Sequence, residues 1–131
     1  MKSNAALGFL LLGVGVALGA FGAHGLRDYF SGREEEIWKT AVWYQLIHAF
    51  GLLFIVIFEK LKLLLSKHAV IVSRAMFAGM LIFSGSLYLL VLSRERWLGA
   101  ITPIGGSLLI GSWLYLSYVV LRTKEEPGSL N

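Results

Sequence analysis

The chain has 131 residues, 56% of them apolar and only 15% charged, with a formal charge of +4. A soluble domain carries about 25% charged residues, and one this small lacks the interior to hide so much apolar surface. A water-soluble enzyme, a disordered tail and a free-standing nucleic-acid binder are therefore excluded, and the absence of cysteine removes disulfides, thiolate-bound metal and a thiol nucleophile.

A hydrocarbon layer of about 30 Å is crossed by roughly 20 apolar residues in helical form. Four runs meet that need, at about 5–23, 41–58, 75–92 and 101–121. They are continuously apolar rather than alternating, so they read as helices and not barrel strands. The expected fold is all-α, an integral membrane four-helix antiparallel bundle forming one transmembrane domain over 1–131.

The first run, Ala5 to Ala23, is uncharged and follows Lys2. It exceeds the roughly 7 to 15 apolar residues of a signal peptide and is read as an uncleaved first span. Gly15-x-x-x-Gly19 continues to Ala23 at the same spacing, a small-residue stripe that lets a neighbouring backbone come close. Packing within the chain is the plainer use of this face. A homo-oligomer seam or a membrane-protein partner is the other. His24 ends the run.

Ser31 and Glu34 have the spacing of a capping box, and Glu34, Glu35 and Glu36 suit the first turn of a helix. The second helix should thus begin near Gly32, and the acidic run is a solvated helix start rather than a cation site. Only Gln45 and His48 interrupt the span that follows. His48 lies ten residues beyond Trp38, about 15 Å down the axis, near the midplane, where ionisable residues face the bundle interior. Tyr44 and Gln45 share its face. No carboxylate lies within any span, so a neutral His48 is expected to bond across helices. Its candidate partners are Tyr88 or Ser84 on the third helix and Ser107 or the Gly105-Gly106 backbone on the fourth.

The third run, Ala75 to Leu92, has Arg74 at its edge and carries Ser84, Ser86 and Tyr88. Phe83-Ser84-Gly85-Ser86 is not a nucleophile elbow, and serine in a membrane helix usually bonds backbone or packs. Thr102-Pro103 reads as N-cap and first residue of the fourth helix. Pro127-Gly128 falls in a polar tail.

With four spans, Lys2, Lys60, Lys62, Lys67, Arg74, Arg122 and Lys124 share one side; Arg27, Arg33, Lys39, Arg94 and Arg96 take the other. Seven against five puts both termini in the cytoplasm, in a multi-pass protein of the cell (inner) membrane. Tyr29, Phe30, Trp38, Trp43 and Trp97 then read as an aromatic belt at the outer interface. The same topology gathers His24, Tyr44, Gln45, His48, Ser84, Ser86, Tyr88, Thr102, Gly105 and Gly106 into the outer half, leaving an inner half of mostly Leu, Val and Ile. The cluster is either a polar packing network or the wall of a small pocket. His24 and His48 differ in depth by about 10 Å, against a haem held between them, and no zinc-hydrolase motif occurs. No metal, cofactor or catalytic residue is assigned.

Four motifs in order, Gly19-Ala20-Phe21-Gly22-Ala23-His24-Gly25-Leu26, Trp38 to His48, Phe83-Ser84-Gly85-Ser86-Leu87-Tyr88 and Thr102-Pro103-Ile104-Gly105-Gly106, resemble a small four-span membrane protein family. It is known as domain of unknown function 423, and the resemblance covers nearly the whole chain. It implies a bacterial cytoplasmic-membrane protein with eukaryotic relatives, and no activity. The leading expectation is a non-enzymatic membrane protein that binds a partner protein or a small lipophilic ligand through the outer-half cluster. The alternative is a small transporter or channel subunit acting as an oligomer, though no span carries the ring of charged or water-lining residues that conduction needs.

Overall fold

A computed structural model describes residues 2–122. The Pro127-Gly128 tail lies outside the described residues. The four helices are α1 Lys2–His24, α2 Gly32–Lys60, α3 Ser66–Ser93 and α4 Leu98–Arg122. Each is long and apolar enough to cross a membrane. Successive helices pack on each other, α1 on α2, α2 on α3 and α3 on α4. α1 and α4 thus flank a central α2–α3 pair. The α1–α2 and α3–α4 connections meet at one end, where the Tyr29 hydroxyl donates to the Leu92 carbonyl at 3.0 Å. This is the two-loop end; the opposite one is the termini end.

Local chemistry sets the helix ends. The Ser31 backbone N–H donates to the Glu34 carboxylate at 2.8 Å, the reach-back half of a capping box, and α2 begins at Gly32 as its sequence indicates. α4 does not begin at Thr102-Pro103. It starts at Leu98, because the turn at 95–97 supplies its first bonds, Leu98 N–H to the Glu95 carbonyl and Gly99 N–H to that of Arg96. Pro103 therefore lies inside the helix. Its missing N–H removes one backbone bond, the one to the Gly99 carbonyl. α3 ends on Arg94 in the left-handed region (φ 60°).

The apolar core lies toward the termini end and includes Leu52, Ile55, Val72, Met76, Met80 and Leu109. α3 and α4 make the closest backbone approach. A Cβ on Gly105 would meet the backbone N of Phe83 and lie 2.8 Å from the Gly79 carbonyl oxygen. Phe9, Leu10 and Val16 of α1 and Ile110 and Leu114 of α4 are among the exposed apolar side chains, as lipid-facing helices require.

Candidate functional site

The α1–α2 seam is built on a seven-residue repeat. Gly8, Gly15 and Gly22 are the buried residues of α1. At Gly22 the missing side chain admits the Trp38 indole, whose Nε1–H donates to the Leu18 carbonyl at 2.9 Å. One repeat down, Gln45 Nε2 donates to the Leu11 carbonyl at 2.9 Å, and a Cβ on Gly15 would lie 3.3 Å from that nitrogen. A glycine thus uncovers the carbonyl four residues earlier, and α2 supplies the donor. At the third repeat, Gly8 faces Leu53 and no donor is offered. Gly15 and Gly19 are both turned to α2, whereas Ala23 is exposed. The packed register is therefore 8, 15, 22 rather than the 15, 19, 23 stripe. A seven-residue repeat keeps one face on a partner helix at small crossing angles.

Trp38 is the residue that the sequence misplaces. It is only 3% exposed, not part of an interfacial belt, while Trp43 and Trp97 are 65% and 61% exposed. A tryptophan near a helix end reads as an anchor. Only the glycine across the seam makes it a core residue. Its ring packs edge-on against Tyr88, 4.8 Å between centroids, and the Tyr88 hydroxyl donates to Gln45 Oε1 at 2.9 Å. One polar chain therefore ties α3 through Gln45 to the backbone of α1.

The remaining residues divide. The hydroxyl oxygens of Ser86 and Thr102 lie 2.8 Å apart and link α3 to α4. Gly105 is the close-approach point, and Gly106 sits 3.5 Å, by its missing Cβ, from the Phe83 ring. Tyr44 stacks on Phe83, 4.2 Å between centroids. His48 is buried, as expected, but none of the partners named for it holds it. Nδ1 lies 2.6 Å from the Tyr44 carbonyl of its own helix. A carbonyl only accepts, so Nδ1 carries the hydrogen. Tyr44 stacks on the ring at 5.8 Å between centroids, and Trp113 of α4 packs against it at a tilt, 6.0 Å away. Tyr88 is taken by Gln45, and Ser107 bonds the Pro103 carbonyl. The Ser84 hydroxyl is buried with no hydrogen-bond partner. His24 stands exposed at the end of α1 and does not join the group. Among the described residues no group of three His, Cys, Asp or Glu could hold a metal.

The termini half is less apolar than its sequence suggests. His68 Nδ1 and the Tyr115 hydroxyl lie 2.7 Å apart, joining α3 to α4, and the Ser73 hydroxyl is buried and unpaired. The separation of 47 residues hides the first pair from local pattern, and serine in an apolar helix gives no signal of its surroundings.

At the two-loop end an open cleft of about 110 Å³ borders the seam. Its walls are Phe30, Trp38, Val42 and Trp43 over a floor of Gly19 and Gly22. Its polar edge is the exposed Glu35–Lys39 ion pair, 2.6 Å. Glu34, ahead of the span, also pairs with Arg94 at 3.4 Å. The Ser31 backbone N–H, then the Ser31 hydroxyl and more weakly Arg94, hold its carboxyl below the usual glutamate range.

Residues 18–106 match the model of a family described as "Protein of unknown function (DUF423)". The chain belongs to this family. It is 44% identical to a "UPF0382 membrane protein" of Staphylococcus epidermidis, over 93% of this chain and 98% of the relative. It is 42% identical to "UPF0382 membrane protein YwdK" of Bacillus subtilis, over 87% of this chain and 96% of the relative. No solved structure matches it. Family membership and four candidate spans make it a membrane protein, and the stretch matched contains the Leu18–Gly22–Trp38 part of the seam together with Gln45 and Tyr88, but not Gly8, Leu11 or Gly15.

Proposed function

We propose that this is a non-enzymatic protein of the cell membrane, both termini cytoplasmic, that holds one end of a lipophilic amphiphile in the cleft beside Trp38. The cleft carries this reading: aromatic walls with a charged pair at one edge, at the two-loop end of the bundle. Aromatic walls with a few polar groups are what small-molecule sites use. At about 110 Å³ it takes an end group, with the rest of the molecule lying along α1 in the bilayer. Trp38 joins the cleft to Tyr88 and Gln45, so occupancy would bear on all of the first three helices. The pairing of Gln45, Ser86 and Thr102 within the chain supports binding over conduction, since such groups do not line a water path.

Purification in mild detergent followed by mass spectrometry of every retained small molecule tests it. One amphiphile should persist at about one per chain, quench Trp38 and Trp43 fluorescence, and be lost in Trp43→Ala while the helical spectrum stays unchanged. Retention that is indifferent to Trp43→Ala would overturn the reading.

A further inference from the structure

The termini end of the seam shows a second, independent feature. α1 and α3 both lean on α2, and between them lies a groove of about 290 Å³. Its walls are Leu7, Val70 and Phe77 over a floor of Leu52. Asn4, Ser73 and Arg74 supply its polar side. This is where the glycine repeat reaches Gly8 and α2 offers leucine instead of a donor. Ser73 is 7% exposed, lines the groove, and its hydroxyl has no hydrogen-bond partner. Arg74 makes no ion pair among the described residues, and no acidic residue lines the groove. The first-turn N–H groups of α1, which no helical carbonyl can satisfy, lie at the same level as Asn4.

We propose that this groove binds an anionic phospholipid, its phosphate held by Arg74 and Ser73 beside the start of α1 and one acyl chain lying over Leu52 between Leu7 and Phe77. Depth agrees with this: Ser73 is seven residues into α3, about 10 Å from its start, where headgroup gives way to hydrocarbon. Charge agrees too. Among the described residues, Lys2, Lys60, Lys62 and Lys67 surround this end with Glu59 as the acidic residue, and basic residues beside a membrane favour anionic lipid. A zwitterionic lipid offers the same phosphate, but its own quaternary ammonium offsets that charge, so net negative charge is what an unpaired guanidinium selects.

The test is lipid selectivity of the full chain in nanodiscs holding equal phosphatidylglycerol and phosphatidylcholine with identical acyl chains, read by native mass spectrometry of the lipid that stays bound. The wild-type chain should retain phosphatidylglycerol over phosphatidylcholine by about fivefold, the selectivity one well-placed basic residue supplies. Arg74→Gln, an exposed position that leaves the fold intact by circular dichroism, should bring that ratio to about one. Lys67→Gln should leave it nearly unchanged. Ser73→Leu, which fills the groove, should lower retention of both lipids, and free glycerol phosphate should displace neither. Equal retention of the two lipids by wild type would overturn the proposal. So would an equal loss of selectivity in Arg74→Gln and Lys67→Gln, which would mean a diffuse basic surface. Displacement by glycerol phosphate would also overturn it, since it would mean a headgroup site without a chain.

Discussion

The two ends of the α1–α2 seam repeat one geometry with different chemistry. At the two-loop end Trp38 and Gln45 each place a side-chain donor on a carbonyl that a glycine uncovers. At the termini end the third glycine, Gly8, meets leucine. The first arrangement locks α1 in depth and rotation, because a donor must find one carbonyl. The second leaves α1 in apolar contact alone, with a groove and an unpaired serine beside it. Helices in lipid associate through close packing and hydrogen bonds rather than hydrophobic drive, so the two ends of one seam should differ in strength.

The largest expected effect compares two glycines. Gly22→Ala sets a methyl group against the buried Trp38 indole and breaks its bond to Leu18, costing about 2–3 kcal/mol. Gly8→Ala meets the end of the Leu53 side chain, which can turn away, and should cost under about 1 kcal/mol. Reversible unfolding in detergent measures both, and equal costs would remove the distinction between the ends. Next comes the polar chain. Gln45→Leu strands the Tyr88 hydroxyl and should cost about 1–2 kcal/mol. In a double-mutant cycle Gln45 and Tyr88→Phe should couple by about 0.6 kcal/mol and at most about 1.7.

Serine substitutions sharpen the contrast between satisfied and unsatisfied groups. Ser86→Ala removes a bond to α4 and should cost about 1 kcal/mol. Ser84→Ala removes a buried hydroxyl with no partner and should be neutral or stabilising, by up to about 1 kcal/mol. His48→Leu belongs with the small effects. The Tyr44 carbonyl keeps its main-chain helical bond when the imidazole is gone, so the loss should stay under about 1 kcal/mol. A loss of several kcal/mol would show that the ring holds something besides its own helix.

The smallest effect is a titration. The Glu34 carboxyl is held below its ordinary range chiefly by the Ser31 N–H. The brace it makes is therefore fully present above the ordinary glutamate value and lost as pH falls through the lower folded-state value. The Ser31 amide resonance should follow that transition. It should be insensitive to pH in Glu34→Gln.

Much of this was legible beforehand for local reasons. Apolar runs of span length, the Ser31–Glu34 spacing and an up-down topology that puts Gln45, Tyr88, Ser86 and Thr102 in one half are properties of short stretches and their order. The start of α4 was not, because Thr102-Pro103 looks like a helix start while the turn at 95–97 had already begun one. Nor was the partner of His48: a neighbouring helix was expected, but its own backbone was nearer.

Composition and periodicity by themselves determined that the chain is a four-helix membrane protein, since hydrocarbon requires every backbone group to be bonded within its own helix. Which glycine faces which side chain was decided only by the tertiary structure. A helix carrying Gly8, Gly13, Gly15, Gly19 and Gly22 offers several small-residue faces of similar quality, and the one that packs is chosen by Trp38 and Gln45 on α2 finding the carbonyls of Leu18 and Leu11. That choice buries a tryptophan that reads as an anchor. It also leaves, one repeat further on, a groove that no residue of the sequence announces, because a gap between two helices belongs to neither of them.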